Sequence, residues 1–233
     1  MNNLETFFNF TPKKIEIGIF DNQTNNKIYI NKLEINFNLN HLDTLTKILN
    51  HQLKDLIIEV ENKIEQPLEK INLMVENQKT LIIDVSIKKI FDNSEILKSN
   101  IEYIIQDLKQ QVSKNNPNMK INHILIKEYI LDGSRVNKIP VGAICKDLII
   151  QVQFICLSKD FLNCLQNIFR NHQINFKSII CTNYAKSLLH EEIDNFMEAG
   201  SNILRGYNSN EVLVYPQKPT KMGFFEKLFH IFS

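Results

Sequence analysis

The chain has 233 residues, with 43% hydrophobic and 23% charged side chains, the composition of an ordinary globular protein with one or two domains rather than a disordered one. Its 27 Lys and Arg stand against 26 Asp and Glu, a net charge of +1, so no global field favours nucleic acid and no such partner is expected. No run of about 18 apolar residues suits a membrane span, and MNNLETFFNFTPKK lacks the basic region and apolar run of a secretory signal.

In chain order, Lys14 to Ile19 and Lys27 to Phe37 alternate β-branched and polar residues about the Asn-rich turn NQTNN, which predicts a hairpin or the first strands of a sheet. From Leu42 to about Val60, apolar residues at Leu42, Leu45, Ile48, Leu49, Leu53, Leu56, Ile57 and Val60 recur at three and four, the period of a helix, with Asn40 as its N-cap. Ile71 to Asn77 and Leu81 to Ile87 read as strands. Ser94 is expected to cap a second amphipathic helix through Ile96, Leu97, Ile101, Ile104, Ile105, Leu108 and Val112, stopped near Pro117. Ile121 to Leu131 and Leu148 to Leu157 are long strand candidates, too far apart in sequence for a tight hairpin, so EYILDGSRVNKIPVGA between them is a structured or exposed loop. Phe161, Leu162, Leu165, Ile168 and Phe169 mark a further helix, and Phe176 to Cys181 a further strand.

Enzymatic signatures are thin. Cys145, Cys156, Cys164 and Cys181 form no C-x-x-C pair and no His stands at a zinc-finger offset from them, so they read as small buried hydrophobes in a reducing cytosol. His190-Glu191-Glu192 is not followed by the second His of a zincin, and no G-x-S-x-G elbow occurs. His41, His51, His123 and His172 read as surface or satisfied structural residues. No catalytic, cofactor-binding or metal-binding residue is therefore named, and no enzymatic activity is expected.

In the last segment, KMGFFEKLFHIFS, Phe224, Phe225, Leu228, Phe229 and Phe232 share one helical face, with Glu226, Lys227 and His230 opposite. A helix of this length cannot cross a bilayer but suits the headgroup region, with Met222 and Lys227 adding apolar and electrostatic contact. YPQKPTK before it reads as a linker. The competing expectation is a terminal helix docked on its own core.

Tyr129, Asp132, Gly133, Ile139, Pro140 and Gly142 follow one another in a pattern that resembles the bacterial cell-division protein FtsA family, actin-like membrane adaptors of the division ring. That family carries Y-x-x-D-G and then I-x-x-P-x-G in its inserted subdomain 1C, whereas here Ile139 directly precedes Pro140. The resemblance spans roughly residues 40 to 190. It implies an α+β chain with a remnant actin-like, ribonuclease-H-like subdomain (1–80 and 173–215) and a 1C-like strand-helix-strand-strand-helix insert (81–172). A linker with an amphipathic membrane-targeting helix (216–233) completes it.

The resemblance further implies a scaffold on the inner face of the cell membrane at the division site. It would act by protein contacts, with FtsZ or late division proteins as partners, with self-association, and with lipids held by the terminal helix. ATP hydrolysis is not expected. IEIGIFDN keeps Glu16 and Gly18 of a phosphate hairpin but has Ile19 and Phe20 where the family carries hydroxylated residues, and the second hairpin, D-x-G-G-G-T, is missing. The alternatives are a nucleotide-binding protein completed by a second chain, or a platform of pilus assembly. Tyr129, Asp132, Gly133, Pro140 and Gly142 either shape the turn alone or present a partner surface.

Overall fold

The computed structural model describes residues 4–21, 27–34, 42–76, 80–189 and 195–212. Strands β1 (Leu4–Phe10), β2 (Lys14–Asp21) and β3 (Lys27–Glu34) form an antiparallel meander. Helix α1 (Leu42–Ile64) then carries the chain over to β4 (Lys70–Val75), which lies parallel to β1. A crossover of this kind is what a parallel neighbour requires. After an excursion through residues 80–158, helix α3 (Lys159–Asn171) leads into β9 (Asn175–Cys181), parallel to β4. The strand order is β3-β2-β1-β4-β9, the mixed five-stranded sheet of a ribonuclease-H-like, actin-like lobe. Short helices α4 (Thr182–Lys186) and α5 (Phe196–Leu204) follow.

Both faces of this sheet are buried. On one, Phe8, Phe10, Ile15, Ile17, Ile19, Ile71, Leu73 and Val75 meet the apolar stripes of α1 (Leu49, Leu53, Leu56, Ile57, Val60, Ile64) and α3 (Phe161, Leu162, Leu165, Ile168, Phe169). Those stripes exist because leucines, isoleucines and phenylalanines recur at three and four in both helices. On the other face, Phe7, Phe20, Met74 and Ile180 pack with Tyr184 and Ala185 of α4 and Met197, Ala199 and Ile203 of α5. Gly18 lies inside β2 opposite Phe7. A Cβ there would come within 2.5 Å of Met197 Sδ and 2.7 Å of the Phe20 ring, so the glycine gives the room that α5 occupies.

The excursion forms a second, antiparallel sheet. Its strands are β5 (Leu81–Glu95), β6 (Met119–Leu131), β7 (Ser134–Val136) and β8 (Ile144–Ser158), in the order β5-β8-β6-β7. Helix α2 (Lys98–Asn115) covers one face with Ile101, Ile104, Ile105, Leu108 and Val112, set on Ile150, Val152, Phe154 and Cys156 of β8 and Ile124 and Ile126 of β6. The opposite face is partly covered where Leu125 and Ile155 join the core beneath α4 and α5.

Several expectations are corrected by these elements. The strand read as Leu81 to Ile87 runs on to Glu95, with Ser94 inside it paired to Cys145. Ser94 therefore caps no helix; α2 starts after Leu97, whose N–H donates to the side chain of Asn100 at 2.9 Å. The two long strands, too far apart in sequence for a tight hairpin, pair across a structured loop, Leu131 opposite Leu148 and Lys120 opposite Leu157, with β7 between them in sequence and outside them in the sheet. Helix α3, assigned from sequence to the 81–172 insert, contributes its apolar face to the five-stranded sheet, since its aromatic residues find Phe8 and Phe10 there. Asn40 and the end of the Lys27–Phe37 run lie outside the described residues, as do the side chains of Leu42, Leu45 and Ile48.

Candidate functional site

The Asp-Gly loop is built by backbone geometry. Asp132 and Gly133 are the two residues between β6 and β7, Leu131 pairs with Ser134, and both central residues have positive φ, 47° and 85°. That is a primed two-residue hairpin, for which Asp-Gly is a preferred sequence. The Asp132 carboxylate accepts from the Lys146 and Asp147 amides, each at 2.9 Å, which pins the hairpin tip to β8. Tyr129 is buried against α2, and that burial raises its pKa.

Farther on, the Ala143 N–H donates to the Pro140 carbonyl at 3.2 Å around Gly142, whose φ is 86°, as a turn with glycine at its third position requires. Gly142 N–H then donates to Ile96 O and Ile96 N–H to Ala143 O, at 2.9 and 2.8 Å, stitching the loop to the residues just before α2. Pro140 is buried. The named residues thus shape the loop, and their exposed neighbours are apolar: Leu97, Ile139, Val141 and Ile144 are between 46% and 69% exposed. Replacing Gly133 or Gly142 by alanine is expected to cost about 1 kcal/mol each, from the left-handed backbone alone, because a Cβ would meet nothing within 4 Å at Gly133 and only Glu95 Oε1 at 3.9 Å at Gly142. Asp132→Ala, which loses two accepted amide bonds, is expected to cost about 2 kcal/mol. Thermal midpoints of the three variants measure these effects.

The position of a phosphate hairpin can be tested directly. Glu16 and Gly18 lie within β2 rather than in a turn; the turn at this end of the sheet is Thr11-Pro12-Lys13, between β1 and β2. A phosphate cradle needs free backbone amides and small residues. Here Pro12 has no N–H, Thr11 N–H donates to Lys14 O, and the amides of Lys13 and Lys14 both donate to Thr11 Oγ1. The Glu16 carboxylate is occupied by Lys14 Nζ at 2.8 Å and Asn9 Nδ2 at 2.9 Å. These residues do not fit a nucleotide phosphate.

The two sheets are joined by a buried polar cluster. His123 Nε2 accepts from the Cys181 N–H at 3.0 Å and faces the Asn122 amide at 2.9 Å, so its Nδ1 carries the proton and donates to Glu211 Oε1 at 2.7 Å. Glu211 Oε2 accepts from the Tyr184 hydroxyl at 2.8 Å, which in turn accepts from Asn208 Nδ2. Burial, with the Glu211 carboxylate adding to it, raises the Tyr184 pKa. The expectation of a satisfied structural histidine describes His123 well. Its partners were not foreseen, since 88 residues separate it from Glu211. Burial also raises the thiols of Cys145, Cys156 and Cys181, that of Cys156 to about 11.

Among the described residues no group of three or more His, Cys, Asp or Glu is placed to hold a metal ion, and no helix is long and apolar enough to cross a membrane. The proposed lipid-binding residues, Met222, Phe224, Phe225, Lys227, Leu228, Phe229 and Phe232, and the linker before them lie outside the described residues.

No protein-family model and no curated protein matches the sequence. Among solved structures, the chain is similar to one titled as the PilM–PilN type IV pilus biogenesis complex, with a TM-score of 0.46 and 6% identity over 79% of this chain and 48% of that one. It is also similar to the cytoplasmic domain of EpsL, an inner-membrane component of the type II secretion system of Vibrio cholerae, with a TM-score of 0.41 and 8% identity over 78% of this chain and 58% of that one. A third, from Bacteroides thetaiotaomicron and described as having an actin-like ATPase fold and unknown function, has a TM-score of 0.35 and 11% identity over 79% and 54% of the two chains. The chain spans about half the length of these structures. Likeness of this degree says nothing about activity or partners.

Proposed function

We propose that this chain is a non-hydrolysing scaffold of the actin-like adaptor type, working by protein contacts on the inner face of a bacterial membrane within the division apparatus. The observation that carries the reading is the β1–β2 turn, whose amides are all used internally or missing. An actin-like lobe without its phosphate cradle keeps its surfaces and loses its reaction. The Tyr129–Gly142 pattern supplies the link to division, and the aromatic tail the link to lipid. Exposed Leu97, Ile139, Val141 and Ile144 beside the loop are the surface offered to division proteins, FtsZ among them.

Two measurements on the full chain test the reading. Co-sedimentation with anionic vesicles is expected for the full chain and lost on truncation before Met222; binding that ignores the truncation removes the lipid role. A fluorescent fusion is expected to gather at the septum of dividing cells. A signal elsewhere at the envelope would favour the pilus-assembly platform instead, and a diffuse one with the tail intact would sink the adaptor reading. Saturable binding of labelled ATP with Mg²⁺, alone or with a second chain, would restore the nucleotide alternative.

A further inference from the structure

The outer edge of β5 carries a symmetry in its own sequence. This strand is 15 residues long and is the terminal strand of its sheet; among the described residues it pairs only with β8. An unpaired edge of this length is a template for another strand; proteins usually blunt such edges with prolines, bulges, very short strands or charges, and here Lys88 and Lys89 are charges that a partner strand must match. Leu81 to Ile90 contains no proline or glycine, and its ladder to β8 is regular until the irregularity between Ile90 and Ser94, where Asp92 and Asn93 take positive φ. At the other end of the same sheet β7 pairs with Tyr129–Leu131 of β6, and the segment ending at Val212 bonds to Ile124 and Ile126 farther along it.

The side chains of β5 alternate cleanly. Leu81, Ile83, Val85, Ile87 and Phe91 point to the side covered by α2 and are only partly buried there, because the sheet ends beside them. Ile82, Asp84, Ser86, Lys88 and Ile90 lie on the other side and are exposed, Ile82 at 56% and Ile90 at 63%. Read outward from Ser86, this second set is palindromic in chemistry: a carboxylate two residues before and an ammonium two residues after, then isoleucine four before and isoleucine four after. The covered set is symmetric too, with Val85 against Ile87 and Leu81 against Phe91; Ile83 falls opposite Lys89, whose long stem can lie along it.

We infer that β5 is a self-association edge, pairing antiparallel with β5 of a second copy of this chain about a two-fold axis at Ser86. In this register Asp84 faces Lys88 of the second copy, Ile82 faces its Ile90, and each pairing occurs twice, as an isologous interface demands. Opposite charges and apolar pairs directly across a ladder stabilise it, whereas like charges there oppose it. Shifting the register by two residues sets Asp84 against Ser86 or Ile90 and breaks every favourable pair on the exposed side. In the single copy Lys88 and Asp84 are turned inward to β8, to Asp147 at 2.9 Å and Gln153 at 2.9 Å, so pairing across the axis exchanges these contacts for each other. The two four-stranded sheets become one, with both copies of α2 on the same face. A ladder of this size buries little surface beside a permanent dimer, so the association is of the weak, concentration-dependent kind. It is independent of any nucleotide and of the terminal helix.

The test uses the full chain with Ser86→Cys. On the axis the two introduced thiols lie directly opposite each other, and mild oxidation is expected to give a disulfide-linked dimer. Asp84→Cys is the control: equally exposed on the same strand, it lies four positions from its own copy along the ladder, about 13 Å, beyond disulfide reach. It is expected to cross-link only when mixed with Lys88→Cys. The unsubstituted chain, in which Cys145, Cys156 and Cys181 are buried and Cys164 is partly exposed, sets the background, and Cys164→Ser in every variant removes its contribution. Light scattering across the micromolar range is expected to show the mass rising toward a dimer, with Asp84→Lys, which places like charges across the axis, shifting that rise at least threefold higher in concentration. Equal cross-linking at 84 and 86 would overturn the register. A monomeric mass throughout, with no Ser86→Cys dimer, would overturn the inference and leave the edge to a strand from a different protein.

Discussion

Replacing Phe169 by alanine is expected to cost about 3 to 5 kcal/mol, enough to remove most of the stability of a domain of ordinary margin. Phe169 is fully buried in α3 and its ring stands edge-on to three others: Phe8 at 5.3 Å, Phe10 at 5.8 Å and Phe176 at 5.4 Å between centroids. These three come from β1 and β9, the middle and one edge of the five-stranded sheet. Truncation therefore leaves a cavity where a helix and two strands meet, and edge-to-face contacts are lost beyond the buried area. Urea denaturation followed by circular dichroism should show the midpoint falling sharply with the slope unchanged. Phe169→Leu, which keeps most of the volume, should recover more than half of the loss. A midpoint shift below about 1 kcal/mol for the alanine variant would mean that α3 is not anchored as described.

The second large effect is expected at His123. Alanine here takes away the acceptor of the Cys181 N–H and the donor to Glu211 together, leaving a carboxylate buried with only Tyr184 for company. Leaving a buried carboxylate short of its hydrogen-bond donor costs about 3 kcal/mol, more than the net worth of the bond itself. The asymmetry gives a sharper check than the single variant. His123→Ala combined with Glu211→Leu should be less destabilised than the sum of the two, because the double variant has no orphaned carboxylate. Since His123 sits on β6, Cys181 at the end of β9, and Glu211 on the segment bridging to Leu125, hydrogen exchange should rise first at this junction between the two sheets rather than in either core.

What could be read from the residues, and what could not, follows from periodicity. The long helices α1, α2 and α3 were legible because each has one wet face, so Ile101, Ile104, Ile105, Leu108 and Val112 mark α2 in any window. The strand β1 was not, although it is the centre of the larger sheet. Phe7, Phe8 and Phe10 are all buried, on alternate faces, and a strand covered on both sides gives a short apolar run with no alternation to recognise. Its neighbour β2 was legible as a strand from Lys14, but with β1 unseen the turn at Thr11-Pro12-Lys13 between them left no sign. The extension of β5 past Ile87 was hidden by Lys88, Lys89 and the polar residues of its irregular region, which read as the approach to a helix.

At the loop, Asp132-Gly133 and Gly142 announced turns correctly, because only a few residue types accept positive φ. Which exposed side chains those turns display was invisible, since Leu97 and Ile144 join Val141 only through the pairing of separate strands. Helix α4 was missed because five residues show no period, and α5 because its buried positions include Ala199, Gly200 and Ser201, which mark no apolar stripe. Long-range partners such as Glu211 for His123 leave no local trace at all.

The order in which the two sheets are closed along the chain bears on how the protein is made. The second sheet and its covering helix are drawn entirely from residues 81–158, a continuous stretch, so every strand it needs has left the ribosome together. The first sheet has no such luxury: β4 waits with one side bare until β9, Asn175–Cys181, is synthesised, about five to twenty seconds later at ordinary elongation rates. During that interval the apolar faces of β1, β4 and α1 are on display without α3. The nascent chain is then at its most adhesive, and a pause placed between residues 81 and 181 would lengthen the exposure, whereas early completion of the inserted sheet brings the two halves of the larger one close enough to meet.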